Sequence, residues 1–181
     1  GIDTILGGKG LDSIFGGEGD DIMEGGEGAD VIRAGNGYDD LTGDAGSDKL
    51  YGEANNDRLS GGEGADGLWG GSGEDLFIYN SVTESSGSIY DTIHDFNTLE
   101  GDKIVIEGVA DADSSTDGEQ SFEFTTKSAI ADGYAGGMLW FDAGFLFGST
   151  DSDSTAEFAI KLVGVTSLAA SDVEVIASAT A

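Results

Sequence analysis

Large apolar side chains recur every nine residues through the first 78 positions: Ile5, Ile14, Met23, Ile32, Leu41, Leu50, Leu59, Leu68 and Phe77. Nine is neither the helical period of 3.6 nor the strand period of two, so each apolar residue belongs to its own short element. An aspartate stands two positions before each one: Asp3, Asp12, Asp21, Asp30, Asp39, Asp48, Asp57, Asp66 and Asp75. Most of these aspartates follow a glycine-rich lead, as in GGKGLD (7–12), GGEGDD (16–21) and GGEGAD (25–30 and 61–66). The unit is G-G-x-G-x-D-x-U-x, with U apolar. Copies begin at Gly7, Gly16, Gly25, Ala34, Gly43, Gly52, Gly61 and Gly70, after a truncated first one. The pattern predicts a six-residue turn followed by a three-residue strand whose middle side chain points inward.

Two such units complete one coil of a solenoid, so strands 18 residues apart stack at about 4.7–4.9 Å. Stacking sorts the aspartates into two ladders, Asp3–Asp21–Asp39–Asp57–Asp75 and Asp12–Asp30–Asp48–Asp66. Past Tyr79 the beat stops. The runs DTIHDF (91–96), DKIVIEGV (102–109), SFEFTT (121–126), GMLWFD (137–142), FAIKLVGV (158–165) and DVEVI (172–176) read as strands bounded by acidic or Gly/Ser turns. The fold class expected is all-β: a parallel β-roll over residues 1–78, followed by a β-sandwich-like cap over residues 79–181.

Burying one apolar side chain contributes roughly 1.5–3 kcal/mol, whereas ordering nine backbone residues costs about 1–2 kcal/mol each. One apolar residue in nine cannot offset that. Carboxylates stacked ~5 Å apart also repel each other. The ladders therefore call for a cation between rungs. Carboxylate and carbonyl oxygens, without His or Cys, select Ca²⁺ over zinc or copper. Glycine supplies the positive φ that turns loop carbonyls toward an ion.

Composition narrows the function. A net charge of -29, with 36 acidic residues in 181, leaves no basic patch for nucleic acid and repels an anionic membrane. Cysteine is absent, which removes disulfides and thiolate metal sites. No run approaches membrane-spanning length and no signal peptide is visible. The chain starts in mid-repeat, which suggests a segment of a longer polypeptide.

These nonapeptides resemble the repeats-in-toxin (RTX, haemolysin-type) calcium-binding family over residues 1–78. The resemblance implies a parallel β-roll holding several calcium ions between adjacent coils. Each ion would take the second and fourth carbonyls and the aspartate of one loop. The loop 18 residues later would give its first and third carbonyls and its aspartate. Residue by residue, one site would use Gly8, Gly10 and Asp12 with Gly25, Glu27 (through its backbone) and Asp30. The next would use Gly17, Gly19 and Asp21 with Ala34, Asn36 and Asp39. A third would pair Gly26, Gly28 and Asp30 with Gly43, Ala45 and Asp48, and a fourth Gly35, Gly37 and Asp39 with Gly52, Ala54 and Asp57. Asp3, Asp66 and Asp75 complete the ladders. Loops 43–48 and 52–57 depart from the motif, with Asp44, Glu53 and Asn55 where glycines belong, so sites starting from them stay unassigned.

Residues 75–106 and the stretch near the C-terminus also resemble the end of proteins exported by type I secretion. That likeness implies a capping β-structure and an uncleaved export signal within roughly the last fifty residues. The expected role is a secreted, extracellular, non-catalytic module that folds on binding Ca²⁺. Its partners would be Ca²⁺, transiently the type I secretion machinery, and an N-terminal passenger domain of the same chain, which would carry any catalysis. No nucleic acid or membrane insertion is expected. The alternative is a calcium-stabilised module that binds an extracellular polysaccharide, or serves adhesion, in a polysaccharide-modifying enzyme or adhesin.

GEGADG (62–67) fits a dinucleotide fingerprint but lies inside the repeat beat. DSSTDG (113–118) opens like an EF-hand loop, yet Phe124 stands where its glutamate belongs. Asp151 with Asp153, and Asp91 with Asp95 and Asp102, are candidates for further calcium in the cap. His94, the only histidine, reads as a strand residue. Trp69, Trp140, Tyr90 and Phe141 read as packing before docking surface.

Overall fold

A computed structural model describes residues 1–81, 83–86, 89–109, 123–125, 138–149, 156 and 158–177. The repeats form nine strands: β1 (Thr4–Lys9), β2 (Ser13–Glu18), β3 (Ile22–Glu27), β4 (Val31–Asn36), β5 (Asp40–Ala45), β6 (Lys49–Ala54), β7 (Arg58–Ser60), β8 (Gly67–Ser72) and β9 (Leu76–Tyr79). Odd strands stack in one parallel sheet and even strands in the other. The register is the predicted step of 18, with Ile5 opposite Met23, Ile14 opposite Ile32, and Leu50 opposite Leu68. The repeats form a parallel β-roll.

Most repeat strands run for six residues rather than three. Pairing continues past the apolar position into the glycine lead, for example Gly8 opposite Gly26 and Lys9 opposite Glu27, and skips only the first glycine. Nothing in the side-chain pattern announces this extension. It arises because backbone N–H and C=O groups of stacked loops face each other and must pair.

The two sheets do not stop at Tyr79. Strand β10 (Asp91–Ile93) stacks on β8, and β11 (Lys103–Val109) on β9, both parallel. Each repeats the local grammar of the roll: Asp91-Thr-Ile93 and Asp102-Lys-Ile104 place a buried isoleucine on Leu68 and Phe77 respectively. Then β16 (Val173–Ala177) ends one sheet. β15 (Phe158–Leu162), β14 (Phe145–Ser149), β13 (Met138–Asp142) and β12 (Glu123–Thr125) extend the other, where β13–β14 and β14–β15 pair antiparallel. One continuous core runs from Ile14 through Met23, Ile32, Leu41, Leu50, Leu59, Leu68 and Phe77 to Ile93, Ile104, Leu146 and Ile160.

Each of the six expected late runs contains a strand, but DTIHDF contracts to Asp91–Ile93 and FAIKLVGV to Phe158–Leu162, and within SFEFTT the described strand is Glu123–Thr125. Strand β14 was not anticipated. It is joined to β13 by Ala143 and Gly144, both at positive φ (51° and 84°), a two-residue hairpin without the Asn-Gly signature. DSSTDG, Asp151 and Asp153 lie outside the described residues.

Candidate metal centre: two carboxylate ladders

The repeat aspartates sit at the corner where each loop enters its strand, and stacking buries them. Asp21, Asp30, Asp39, Asp48, Asp57, Asp66 and Asp75 are buried, Asp12 is half-buried, and Asp3 at the open end is exposed. Each carboxylate reaches back one coil. The N–H of Asp12 donates to Asp30 Oδ1 at 2.7 Å, that of Asp21 to Asp39 at 2.7 Å, and that of Asp30 to Asp48 at 2.7 Å. Asp3, Asp39, Asp48 and Asp57 donate likewise to Asp21, Asp57, Asp66 and Asp75.

The second oxygen is different. Oδ2 of Asp12, Asp21, Asp30, Asp39, Asp48, Asp57, Asp66 and Asp75 is buried without a hydrogen-bond partner. A series of uncompensated buried oxygens is unfavourable unless something positive meets them. Their acidities show the same stress. Burial, reinforced by neighbouring ladder charges, pushes Asp48 and Asp57 up to about 7. Asp66 rises to about 6 through burial, and Asp75 to about 6 through burial and nearby Asp102, Asp95 and Glu100.

Backbone oxygens converge on the same corners. A Cβ added to Gly7 would lie 2.5 Å from Gly25 O and 3.0 Å from Asp12 Oδ2. One on Gly16 would lie 2.8 Å from Ala34 O and 2.6 Å from Asp21 Oδ2, and one on Gly25 would lie 2.8 Å from Gly43 O and 2.7 Å from Asp30 Oδ2. First-position carbonyls thus point back toward the preceding coil. Second- and fourth-position carbonyls point forward: Gly8 O and Gly10 O face Gly26 and Gly28, and Gly17 O and Gly19 O face Gly35 and Gly37. Third-position carbonyls of Glu27, Asn36, Ala45 and Ala54 accept N–H bonds from the coil before, at 2.7, 2.8, 2.8 and 3.3 Å.

The two irregular loops keep this direction. Asp44, Glu53 and Asn55 adopt the left-handed φ of the glycines they replace (69°, 77° and 76°), and their carbonyls face Gly62, Gly71 and Gly73. Stacking against regular neighbours imposes the geometry at a local conformational cost. Among the described residues no group of three or more His, Cys, Asp or Glu side chains gathers. The corners instead combine two carboxylates with main-chain carbonyls, an all-oxygen donor set that fits a hard divalent cation.

The family model of the RTX calcium-binding nonapeptide repeat matches residues 1–32, 24–59 and 42–77. Residues 1–77 of this chain are RTX calcium-binding repeats. Among solved structures, the chain is similar to the solution structure of the AlgE6R3 subunit from the Azotobacter vinelandii mannuronan C5-epimerase. The two are 27% identical, the match covers 92% of this chain and 79% of that one, and the TM-score is 0.52. No curated protein matches the sequence.

Two further aspects of the RTX roll were not legible beforehand. Asp91 and Asp102, expected as candidates for a separate calcium in the cap, instead extend the ladders: Asp66 N–H donates to Asp91 Oδ1 at 2.8 Å and Asp75 N–H to Asp102 Oδ1 at 3.1 Å. The recurring D-x-U triplets were the available signal, masked because the steps lengthen to 25 and 27 residues. Outside the even-numbered sheet, Arg33, Tyr51, Trp69 and His94 form one stack. The Arg33 guanidinium lies 4.0 Å from the Tyr51 centroid, Tyr51 and Trp69 are 4.5 Å apart, and Trp69 and His94 are 3.9 Å apart. Trp140 lies elsewhere, against Phe147, and Tyr90 packs edge-on against Phe145.

Proposed function

We propose that this segment is a calcium-dependent folding module of an exported protein, itself non-catalytic. The observation carrying that reading is the series of buried, unpartnered Oδ2 atoms in the ladders. Asp12, Asp21, Asp30 and Asp39, each with its aspartate one coil on and the carbonyls of the intervening loops, would hold the ions. The preserved carbonyl direction of loops 43–48 and 52–57 supports extending the same scheme to Asp66 and Asp75. Bound Ca²⁺ supplies the positive charge that the ladders lack. Without it the carboxylates repel each other and the thin core does not hold the coils together. The chain then stays extended in a calcium-poor cytosol, as passage through a type I secretion channel requires. Extracellular calcium modules work at about 10⁻⁴–10⁻³ M, and at such levels binding free energy becomes folding free energy. An N-terminal passenger and a C-terminal export signal complete the proposed arrangement.

The test is titration of Ca²⁺ into metal-stripped protein, followed by far-ultraviolet circular dichroism, with Mg²⁺ as control. A cooperative gain of β-signal with Ca²⁺ alone is expected. A chain equally folded in chelator and unresponsive to Ca²⁺ would sink the proposal.

A second reading, binding of an extracellular anionic polysaccharide, is favoured by the outer face of the even-numbered sheet. Arg33 there sits beside the row Lys49–Gly67–Thr92–Lys161, a concentration of cations on an otherwise acidic chain. The similarity to a subunit of a mannuronan epimerase points the same way. Because Trp69 belongs to that face, polymannuronate binding should change its fluorescence in a salt-sensitive manner. Unchanged emission at millimolar sugar would argue against this reading.

A further inference from the structure

The late aspartates near the end of the repeats are not chemically alike. Asp95 spends both oxygens on the backbone, accepting Gly70 N–H at 3.0 Å and Gly71 N–H at 3.1 Å. Asp102 does the same, accepting Asp75 N–H at 3.1 Å and Asn97 N–H at 2.8 Å. In both, each carboxylate oxygen is taken by a backbone amide.

Asp91 is built otherwise. It is 0% exposed, its Oδ1 takes the Asp66 N–H at 2.8 Å, and its Oδ2 has no partner. That is the state of every buried aspartate in the repeats. Asp66, 3% exposed, contributes its own unpartnered Oδ2, and the buried Tyr79 hydroxyl lies against the Asp91 carboxylate. Had Asp91 served only to accept one N–H, a serine or asparagine would suffice without burying a second charged oxygen. The Asp91 backbone is anchored by Ser85. Ser85 accepts the Asp91 N–H at 2.7 Å and donates to Ala159 O at 2.6 Å, tying the position to β15.

We propose that Asp66 and Asp91 form a further divalent-cation site, which closes the second ladder and fastens β10 to the last repeat loop of that ladder. Gly62 and Gly64, at φ 89° and 153°, share the left-handed conformation of the other carbonyl-presenting loop positions and supply the main-chain oxygens on the earlier side. The site rests on the reading of the ladders as calcium positions. It adds an ion outside the nonapeptide motif and makes calcium binding by the repeats continuous with ordering of the chain beyond them.

The test is the number of Ca²⁺ ions bound at saturation by the whole chain, measured by equilibrium dialysis for wild type, Asp91→Asn and Asp30→Asn. Asp30 belongs to two inter-coil positions and Asp91 to one, so losses of two ions and one ion are expected. An unchanged count for Asp91→Asn, with Asp30→Asn reduced, overturns this site and leaves the repeat sites standing. A wild type that binds no calcium overturns both. If Asp91→Asn does not fold, Tyr79→Phe decides. It keeps the ring's shape but removes tyrosine absorption next to the site, so Tb³⁺ emission excited at about 280 nm should fall. Emission equal to wild type overturns the proposal.

Discussion

At the residue scale, the positive-φ glycines do two separable jobs: they permit a left-handed backbone and they leave room for the neighbouring coil. Gly8 and Gly26 occupy the same loop position at nearly the same φ, 100° and 104°. A Cβ on Gly8 meets nothing within 4 Å, whereas one on Gly26 runs into Gly8 O. Gly8→Ala therefore carries only conformational strain, about 1–2 kcal/mol. Gly26→Ala must also push two coils apart and misdirect the Gly8 carbonyl. The calcium midpoint of folding should move little for Gly8→Ala and at least several-fold upward for Gly26→Ala, as read by circular dichroism. Equal shifts would mean that coil spacing is not what these glycines protect. Asp44, Glu53 and Asn55 show the complementary case, since they accept the strained φ where the loop direction is demanded by stacking.

At the scale of the element, a strand of this roll is a rung, and its length is set by the neighbours above and below. The three residues around each apolar position were legible from the nine-residue beat. The remaining three became strand because the glycine lead of one loop hydrogen-bonds with its copy 18 residues away. The roll's end is managed by side chains standing in for a missing loop. Asp95 accepts the amides of Gly70 and Gly71, and Asn97 satisfies the second oxygen of Asp102. Outer positions are equally governed by register: Tyr51 and Trp69 stack because their strands are adjacent, and His94, expected within a strand but placed just past the end of β10, continues the stack.

For the whole molecule, the raised acidities of the ladders set a pH dependence whose direction reverses with metal. In the metal-free fold burial pushes Asp48 and Asp57 up to about 7, Asp66 and Asp75 to about 6, and Asp91 to about 8. The unfolded chain holds its aspartates near about 3.9. Between these limits the folded state binds protons that the unfolded state does not. The penalty of burying charge is complete above pH about 8 and is relieved as pH falls toward about 4. In chelator, where the chain is unfolded at pH 8, acidification to pH 5.5 should therefore restore part of the β-signal seen by circular dichroism. Protons and Ca²⁺ compete for the same oxygens, so the calcium midpoint should rise over that same window. A metal-free stability that falls on acidification would contradict the burial of these carboxylates.

The period of nine, with an aspartate two residues before each apolar side chain, was enough to determine the half-coil, the step of 18, the inward column and the two ladders. Each of these follows from spacing along a regular solenoid. It could not reveal that the ladders continue through Asp91 and Asp102, because lengthened crossings hide the rhythm while stacking restores the register. Nor could it separate Asp91, with one oxygen unclaimed, from Asp95 and Asp102, whose oxygens are both taken. That difference depends on which amides the folded backbone brings within reach, and only the tertiary structure decides it.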